Sequence, residues 1–297
     1  MSTHRCGLVA VVGRPNVGKS TFINAVMDRK VSIVTSKPQT TRHRILAVLT
    51  GSDTQIIFVD TPGLHRNAGK AMNRLMNRTA VNALADADLV LFVSDATRWT
   101  SEDDDVLKRL KACNAPVIAL LNKIDKVHPR EKLLDALQLM SARHDFVEIV
   151  PISARKRDNL DRVLAMIPAF LPESPPLFPE DMHTDRSAEF HAAEIIREKL
   201  TVSLHQELPY GLTVQVERYL KEDSGVSINA IIWVERDSQK GIVVGKQGGV
   251  LKKVGRAARL EIAEQLHCPV HLELWVKVKT NWADSDKDLR NLGYDAP

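Results

Sequence analysis

The sequence predicts an α/β protein in two parts: a doubly wound sheet with helices on both faces, then a smaller α+β domain. Three observations carry that prediction. Apolar, strand-like runs alternate with helix-like stretches through the first half, which is the pattern of parallel strands joined by crossovers. Between Ile167 and Pro179 there are five prolines in thirteen residues, which ends any helix and favours an extended, semi-rigid connector. Beyond it the order of elements changes to helix, two strands, short helix, helix and strand. The parts are placed at residues 1–171, 172–184 and 185–297.

The first part is organised around Gly13-Arg14-Pro15-Asn16-Val17-Gly18-Lys19-Ser20. This stretch follows the apolar run Leu8 to Val12 and opens an amphipathic segment from Thr21 to Met27. A GxxxxGKS turn between a buried strand and a helix is the context in which the loop wraps a polyphosphate. Consecutive backbone N–H groups and the positive end of the helix then face one anion. In that arrangement Lys19 reaches the terminal phosphates and Ser20 coordinates Mg²⁺.

Past residues 31–37, the loop Pro38-Gln39-Thr40-Thr41-Arg42-His43-Arg44 is polar until Ile45 to Leu49 resumes a strand. In nucleotide switches a threonine of such a loop senses the γ-phosphate through Mg²⁺. Thr41 is the first choice and Thr40 the second. Ile56 to Val59 runs into Asp60-Thr61-Pro62-Gly63, a buried strand that delivers a carboxylate to its C-terminal end. Asp60 is the metal-side acid, and the Gly63 N–H is the γ-phosphate donor. Alone, Asp-Thr-Pro-Gly would be an ordinary turn; its order after GxxxxGKS gives it weight.

Lys70 to Leu84 and Ser101 to Lys111 read as helices, and Asp88 to Ser94 and Pro116 to Leu121 as buried strands. The acidic run from Glu102 to Asp105 suits the first turn of a helix and needs no metal. The second strand ends in Asn122-Lys123-Ile124-Asp125. A carboxylate at Asp125 accepts both the ring N–H and the exocyclic amine of guanine, a donor pair that adenine does not present on that edge. Phe146 to Val150 leads into Ile152-Ser153-Ala154, whose backbone N–H groups can meet the guanine oxygen. Asn159 to Phe170 closes the domain as a helix.

Bulk properties exclude some classes and announce none. The 297 residues carry a formal net charge of +4, with 44% hydrophobic and 26% charged residues, an ordinary balance for a folded protein. Lys plus Arg against Asp plus Glu is 25 to 19 over residues 1–180 and 16 to 18 over residues 181–297, so any claim of nucleic-acid binding must rest on local clusters. Cys6, Cys113 and Cys268 fit neither a disulfide framework nor a metal knuckle, and read as reduced packing thiols. No apolar run is long enough to span a bilayer, and the N-terminus lacks a secretory pattern, so a cytoplasmic monomer is expected.

In the second half, Ser187 to Leu204 reads as a helix with Phe190, Ala193, Ile196, Leu200 and Leu204 on its apolar side. Leu212 to Leu220 and Val226 to Glu235 alternate as a hairpin about Asp223-Ser224-Gly225. A short segment from Ser238 to Val244 leads to Gly245-Lys246-Gln247-Gly248, then to a helix from Gly249 to Leu266 and a strand from Val270 to Thr280. On that helix Lys252, Lys253, Arg256 and Arg259 share one side. Six basic residues and no acidic one lie between Lys240 and Arg259, a run that alone would read as a solvated face. His267 and His271 read as packing or surface residues. A G-x-x-G loop between two helices changes the balance, because backbone there approaches phosphates without a Cβ in the way.

GRPNVGKS, PQTTR, DTPG, NKID and ISA, in that order, resemble the G domain of translation-factor-type GTPases with its P-loop. The order of elements around GKQG resembles the prokaryotic form of the KH domain, which holds about four nucleotides of single-stranded RNA. Together, across essentially the whole chain, they resemble the Era family of bacterial ribosome-assembly GTPases. The resemblance implies GTP and GDP with Mg²⁺ as ligands, held by residues 13–21, 60–63 and 122–125 with Ser153 and Ala154. It implies a slow intrinsic GTPase whose switch is Gln39 to Arg42 and Leu64, with Lys19 and Thr41 catalytic and Ser20, Thr41 and Asp60 on the metal. Its RNA contacts would be Gly245, Lys246, Gln247 and Gly248 with the four cations of the next helix. The implied partners are the 3′ end of small-subunit ribosomal RNA and the small subunit, with a loose peripheral contact at the cytoplasmic membrane. In the Ras-like plan a glutamine after the DxxG glycine orients the attacking water, and here Leu64 stands there. Asn16 resembles the asparagine by which some such GTPases hold K⁺; an amide that only braces the loop is the equal alternative. Two rivals stay open: a GTPase whose second domain binds protein, and an RNA-modifying enzyme, for which the second half offers no reactive constellation.

Overall fold

A computed structural model describes residues 4–63, 70–204 and 211–294. The chain divides into two compact units. The first holds the residues up to Gly69 and Asn73–Asp185; the second holds Arg186–Asp295 with Lys70–Met72.

In the first unit β1 (Arg5–Val12) leads through the glycine-rich loop into α1 (Lys19–Met27). Then follow β2 (Ile45–Thr50), β3 (Thr54–Asp60), α2 (Ala71–Ala85), β4 (Leu89–Asp95) and α3 (Ser101–Leu110). β5 (Val117–Asn122), α4 (Lys132–Ser141), β6 (Glu148–Ile152) and α5 (Leu160–Met166) complete it. The six strands lie in the order β2-β3-β1-β4-β5-β6; β2 runs antiparallel to β3, and the other pairs are parallel. Both faces of the central strands are covered, which is why β4 and β5 are apolar without alternation. Val12, Phe92 and Leu121 pack with Ala80, Val106 and Met140 of α2, α3 and α4. On the other face Phe22 of α1 meets Phe58 edge-on at 6.0 Å.

The prolines keep residues 171–179 out of a long helix, and hydrogen bonds pin the stretch along this unit. Buried Gln55 accepts the Leu177 and Phe178 N–H groups and donates to the Phe178 carbonyl. Farther on, the Val48 N–H donates to the His183 carbonyl, and the Leu46 N–H to Asp185 Oδ1.

In the second unit α6 (Ala188–Ser203) precedes β7 (Leu212–Glu222), β8 (Gly225–Val234), α7 (Asp237–Val244), α8 (Gly249–Leu266), β9 (Val270–Val278) and α9 (Asp286–Asn291). β8 is central, antiparallel to β7 and parallel to β9. Ile196, Leu200, Ile228, Ile232, Val254 and Ile262 form the core between α6, α8 and the sheet.

Of the residues expected on the apolar side of α6, Ile196, Leu200 and Leu204 are buried, Ala193 packs against the same core, and Phe190 is half-buried. The buried side is wider than expected, taking in Ala192 and Ile195. Arg197 is buried as well, held by Glu194 at 2.7 and 2.6 Å, so a charged pair enters the interior together. Thr213, expected on the polar side of β7, is buried with its hydroxyl 2.8 Å from that of Tyr294. No helix among the described residues is long and apolar enough to cross a membrane.

Candidate functional site

The loop after β1 turns sharply at Gly18, whose φ of +104° favours glycine. A Cβ there would meet Asn122 Nδ2 at 2.3 Å, so the base tetrad can approach only a residue without a side chain. The Lys19 side chain is buried, and its Nζ donates to the Gly13 and Arg14 carbonyls at 3.0 Å each. Burial lowers its pKa to about 8, while Asp60 acts in the opposite direction.

Ser20, Thr41 and Asp60 come together from α1, the loop before β2 and the end of β3. Ser20 Oγ donates to Asp60 Oδ2 at 2.8 Å and lies 2.9 Å from Thr41 Oγ1. Asp60 is fully buried, and burial raises its carboxyl pKa against the lowering effects of Ser32, Lys19 and Ser20. Its Oδ1 has no hydrogen-bond partner among the described residues. Two hydroxyl oxygens beside an unsatisfied carboxylate oxygen are the hard donors that Mg²⁺ takes, so these residues fit that ion. Of the two threonines it is Thr41 that stands here. Thr40 Oγ1 instead lies 2.6 Å from Thr35 Oγ1 and donates to the Lys37 carbonyl at 2.7 Å.

Pro15, Asn16, Thr21, Gln39, Gly63 and Lys123 line the same cavity as Lys19 and Thr41. Thr61 turns away, its hydroxyl donating to the Val11 carbonyl at 2.9 Å. Pro62 is buried beside it, as are Val17 and Arg42. Asn16 Nδ2 donates to the Ser36 carbonyl at 2.9 Å. Leu64 lies outside the described residues.

The base-side tetrad is tied to this cavity by two side chains. Asn122 Nδ2 donates to the Val17 carbonyl at 2.8 Å while its Oδ1 accepts the Ala154 N–H at 3.0 Å. Lys123 Nζ donates to the Asn16 carbonyl at 2.7 Å. Asp125 Oδ1 accepts from Ser153 Oγ at 2.7 Å, which orients the carboxylate. Both backbone N–H groups expected to face the base are engaged within the protein, Ser153 with the Asp158 carbonyl and Ala154 with Asn122 Oδ1, so Ser153 acts through its hydroxyl.

Sequence reasoning missed Asp95 and Asp103. Arg14 belongs to the loop by its backbone, but its guanidinium points to α3, where Nε binds Asp103 Oδ2 at 2.9 Å. Asp103 is marked off from Glu102 and Asp104 by one local signal, its place three residues after Thr100 in a capping box, which gives no hint of Arg14.

In the second unit Gly245 has φ +72° and approaches α8 closely; a Cβ there would meet Val250 Cγ2 at 2.5 Å. Gln247 and Gly248 are also left-handed, and the space before Gly248 and Gly249 is open. Lys246, Gln247, Lys252, Lys253, Arg256 and Arg259 are exposed, so the turn presents bare backbone beside a row of cations. His271 is exposed next to Glu273, and His267 caps α8, both without a metal cluster among the described residues.

Comparison with known proteins bears on both arrangements. Residues 8–123 match the model of a 50S ribosome-binding GTPase, and residues 207–283 that of a KH domain. GTPase Era of Cronobacter sakazakii is 49% identical over 290 residues, 97% of this chain and 96% of that protein. A crystal structure of Era with MgGDPNP and nucleotides 1506–1542 of 16S ribosomal RNA is 40% identical, with TM-score 0.94 over 98% of this chain and 99% of that one. An Aquifex aeolicus Era variant bound to GDP·AlF4⁻ is 41% identical, with the same TM-score and coverage. With both units matched in sequence and in backbone over nearly their full length, the chain belongs to the Era family of GTPases.

Proposed function

We propose that this chain is a GTP-hydrolysing switch that binds the 3′ end of small-subunit ribosomal RNA and assists assembly of that subunit. One observation carries the reading: side chains of the base tetrad are stapled to the phosphate loop within a chain that also presents the GKQG turn. The solved Era complex with a GTP analogue and 16S nucleotides supports the same pairing of ligands.

Lys19 and the N–H groups of residues 16–20 hold the polyphosphate, and Asp125, oriented by Ser153, reads guanine. Ser20, Thr41 and Asp60 hold Mg²⁺, which neutralises charge on the β- and γ-phosphates. Thr41 orders around the γ-phosphate through the metal and relaxes when that phosphate leaves, so the nucleotide biases RNA binding through a population shift. Small-subunit ribosomal RNA as partner supports a cytoplasmic place of work, with a peripheral contact at the cytoplasmic membrane as the second reading. RNA affinity should differ between GTP-analogue and GDP forms by at least about fivefold, the scale of a usual coupling free energy. Equal affinities refute the switch.

Leu64 has no group with which to orient water, so intrinsic hydrolysis is slow. Asn16 keeps its Oδ1 as an oxygen donor while its amide braces Ser36, and we assign it to K⁺. Single-turnover hydrolysis in K⁺ should exceed that in Na⁺ by on the order of tenfold, as expected for a cation placed against developing phosphate charge. Equal rates remove the assignment.

Lys246 and Lys253 contact phosphates in this reading. Lys246→Ala with Lys253→Ala should weaken binding of single-stranded RNA and reduce the slope of log K against log salt by about 1.4. An unchanged slope would favour a protein partner for the second unit.

A further inference from the structure

The end of β4 carries a carboxylate that no nucleotide-binding motif claims. Asp95 Oδ2 accepts from Lys123 Nζ at 2.6 Å, and its Oδ1 accepts from the Thr97 N–H and hydroxyl at 3.0 and 2.7 Å. The same Lys123 ammonium donates to the Asn16 carbonyl in the phosphate loop at 2.7 Å. From the other side, Arg14 Nη2 lies 3.9 Å from Asp95 Oδ2, and Arg14 Nε is anchored on Asp103 at 2.9 Å. Asp103 is fixed in turn by the Thr100 N–H and hydroxyl, at 2.8 and 2.9 Å.

These contacts form one chain of alternating charge, Asp103, Arg14, Asp95 and Lys123, linking the first turn of α3, the phosphate loop, the end of β4 and the base tetrad. It is largely shielded: the side chains of Arg14, Asp95 and Asp103 are 12%, 10% and 0% exposed, so water and salt screen it little. Burial alone would raise the Asp95 pKa, but the hydrogen bonds from Lys123 and Thr97 prevail and hold it below the usual carboxylate value. The group is therefore an anion throughout the neutral range.

A lysine stem is flexible, and its ammonium has no preferred direction of its own. Asp95 supplies one. We propose that Asp95 is a positioning residue for the nucleotide: it aims Lys123 at the Asn16 carbonyl and, with Arg14 set on Asp103, locks the phosphate loop to the base loop. The proposal rests on the reading of Lys19, Ser20 and Asp125 as the GTP site. It assigns to Asp95 no contact with base or phosphate; its effect passes through Lys123, and its loss lets the two loops part and the nucleotide escape.

The test uses the full chain loaded with a fluorescent N-methylanthraniloyl GDP and chased with excess GDP. Asp95→Ala should raise the dissociation rate at least about tenfold, and Asp95→Asn, which keeps an acceptor but not the charge, should raise it less. Single-turnover hydrolysis at saturating GTP should change by less than about threefold, since the lock affects retention and not the reacting phosphate. Adding Asp95→Ala to Lys123→Met should cost less than about twofold more, because the two groups act as one unit. Should Asp95→Ala fold poorly, the comparison is made with Asp95→Asn. Unchanged dissociation in the Asp95 variants, or effects fully additive with Lys123→Met, would overturn the proposal and leave the site reading intact. A wild-type chain that binds adenine nucleotides as tightly as guanine ones would overturn the site reading itself.

Discussion

Nucleotide binding is expected to weaken about tenfold for each pH unit above 8, with uptake of close to one proton per nucleotide bound at pH 9. The cause is Lys19. In the free protein its ammonium is buried against two loop carbonyls, and desolvation brings its pKa down to about 8. A polyphosphate adds several negative charges to that of Asp60, so the bound state favours the protonated form well above pH 8. Above that pH the lysine must take up a proton to engage its ligand. Calorimetry in buffers of different ionisation enthalpy measures that uptake directly, and a pH-independent affinity between 8 and 9.5 would exclude it.

The same shift has a consequence for stability, of opposite sign. Between pH 8 and about 10.4 the unfolded chain holds more protons at this lysine than the folded chain does. Stability of the nucleotide-free protein therefore rises with pH through that window, and the fall toward neutral pH costs about 3 kcal/mol. Lys19→Met should recover part of that at pH 7 and raise the melting temperature. It should also lose nucleotide affinity by about two orders of magnitude or more, as expected when a charged partner of a phosphate is removed.

Asp125→Ala is expected to lower GTP affinity by about two to four orders of magnitude, since two hydrogen bonds to a charged acceptor disappear together. Affinity for ATP, already weak, should scarcely move. Asp125→Asn is more informative. It puts an N–H donor where the carboxylate accepted the exocyclic amine, so it should favour xanthosine triphosphate, which carries a carbonyl at that position. Ser153 Oγ, 2.7 Å from Asp125 Oδ1, would still orient the side chain. Competition against a fluorescent nucleotide gives all three affinities, and retained guanine selectivity in Asp125→Ala would place the base elsewhere.

The phosphate loop, DTPG, NKID and GKQG were legible because each sits at the end of a strand or helix that its own neighbours specify. Backbone geometry there is local, and local geometry is what a short motif encodes. Thr41 could not be separated from Thr40 by sequence, because only the fold decides which hydroxyl turns toward Ser20 and which toward Lys37. Arg14 looked like a ligand residue for the same reason: its partner, Asp103, lies 89 positions away.

Helices were lost where their apolar stripe was blurred. In α4 residues Leu133, Ala136, Leu137 and Met140 follow a helical period, but Leu134 and Leu139 are 65% and 60% exposed and obscure it. On α6 the expected stripe holds at Ile196, Leu200 and Leu204 but is narrower than the true one, because Arg197 and Glu194 also enter the interior as a mutually neutralising pair. No pattern of hydrophobicity predicts that. The proline-rich stretch was legible as extended chain but not as chain already committed to a surface. Its anchor, Gln55, is a polar residue at the start of β3, and nothing in its own neighbourhood points to residues 122 and 123 positions away.

β2 is the rim of its sheet, and a rim with free N–H and C=O groups invites another chain to add itself as a further strand. Here residues 183–185 occupy that row through Val48, Ala47 and Leu46. The protein thus carries its own edge guard, built from the last residues before the second unit. A first domain excised at residue 171 would bare the rim and leave Gln55 without the backbone it serves, and would be prone to self-association for reasons unrelated to its nucleotide.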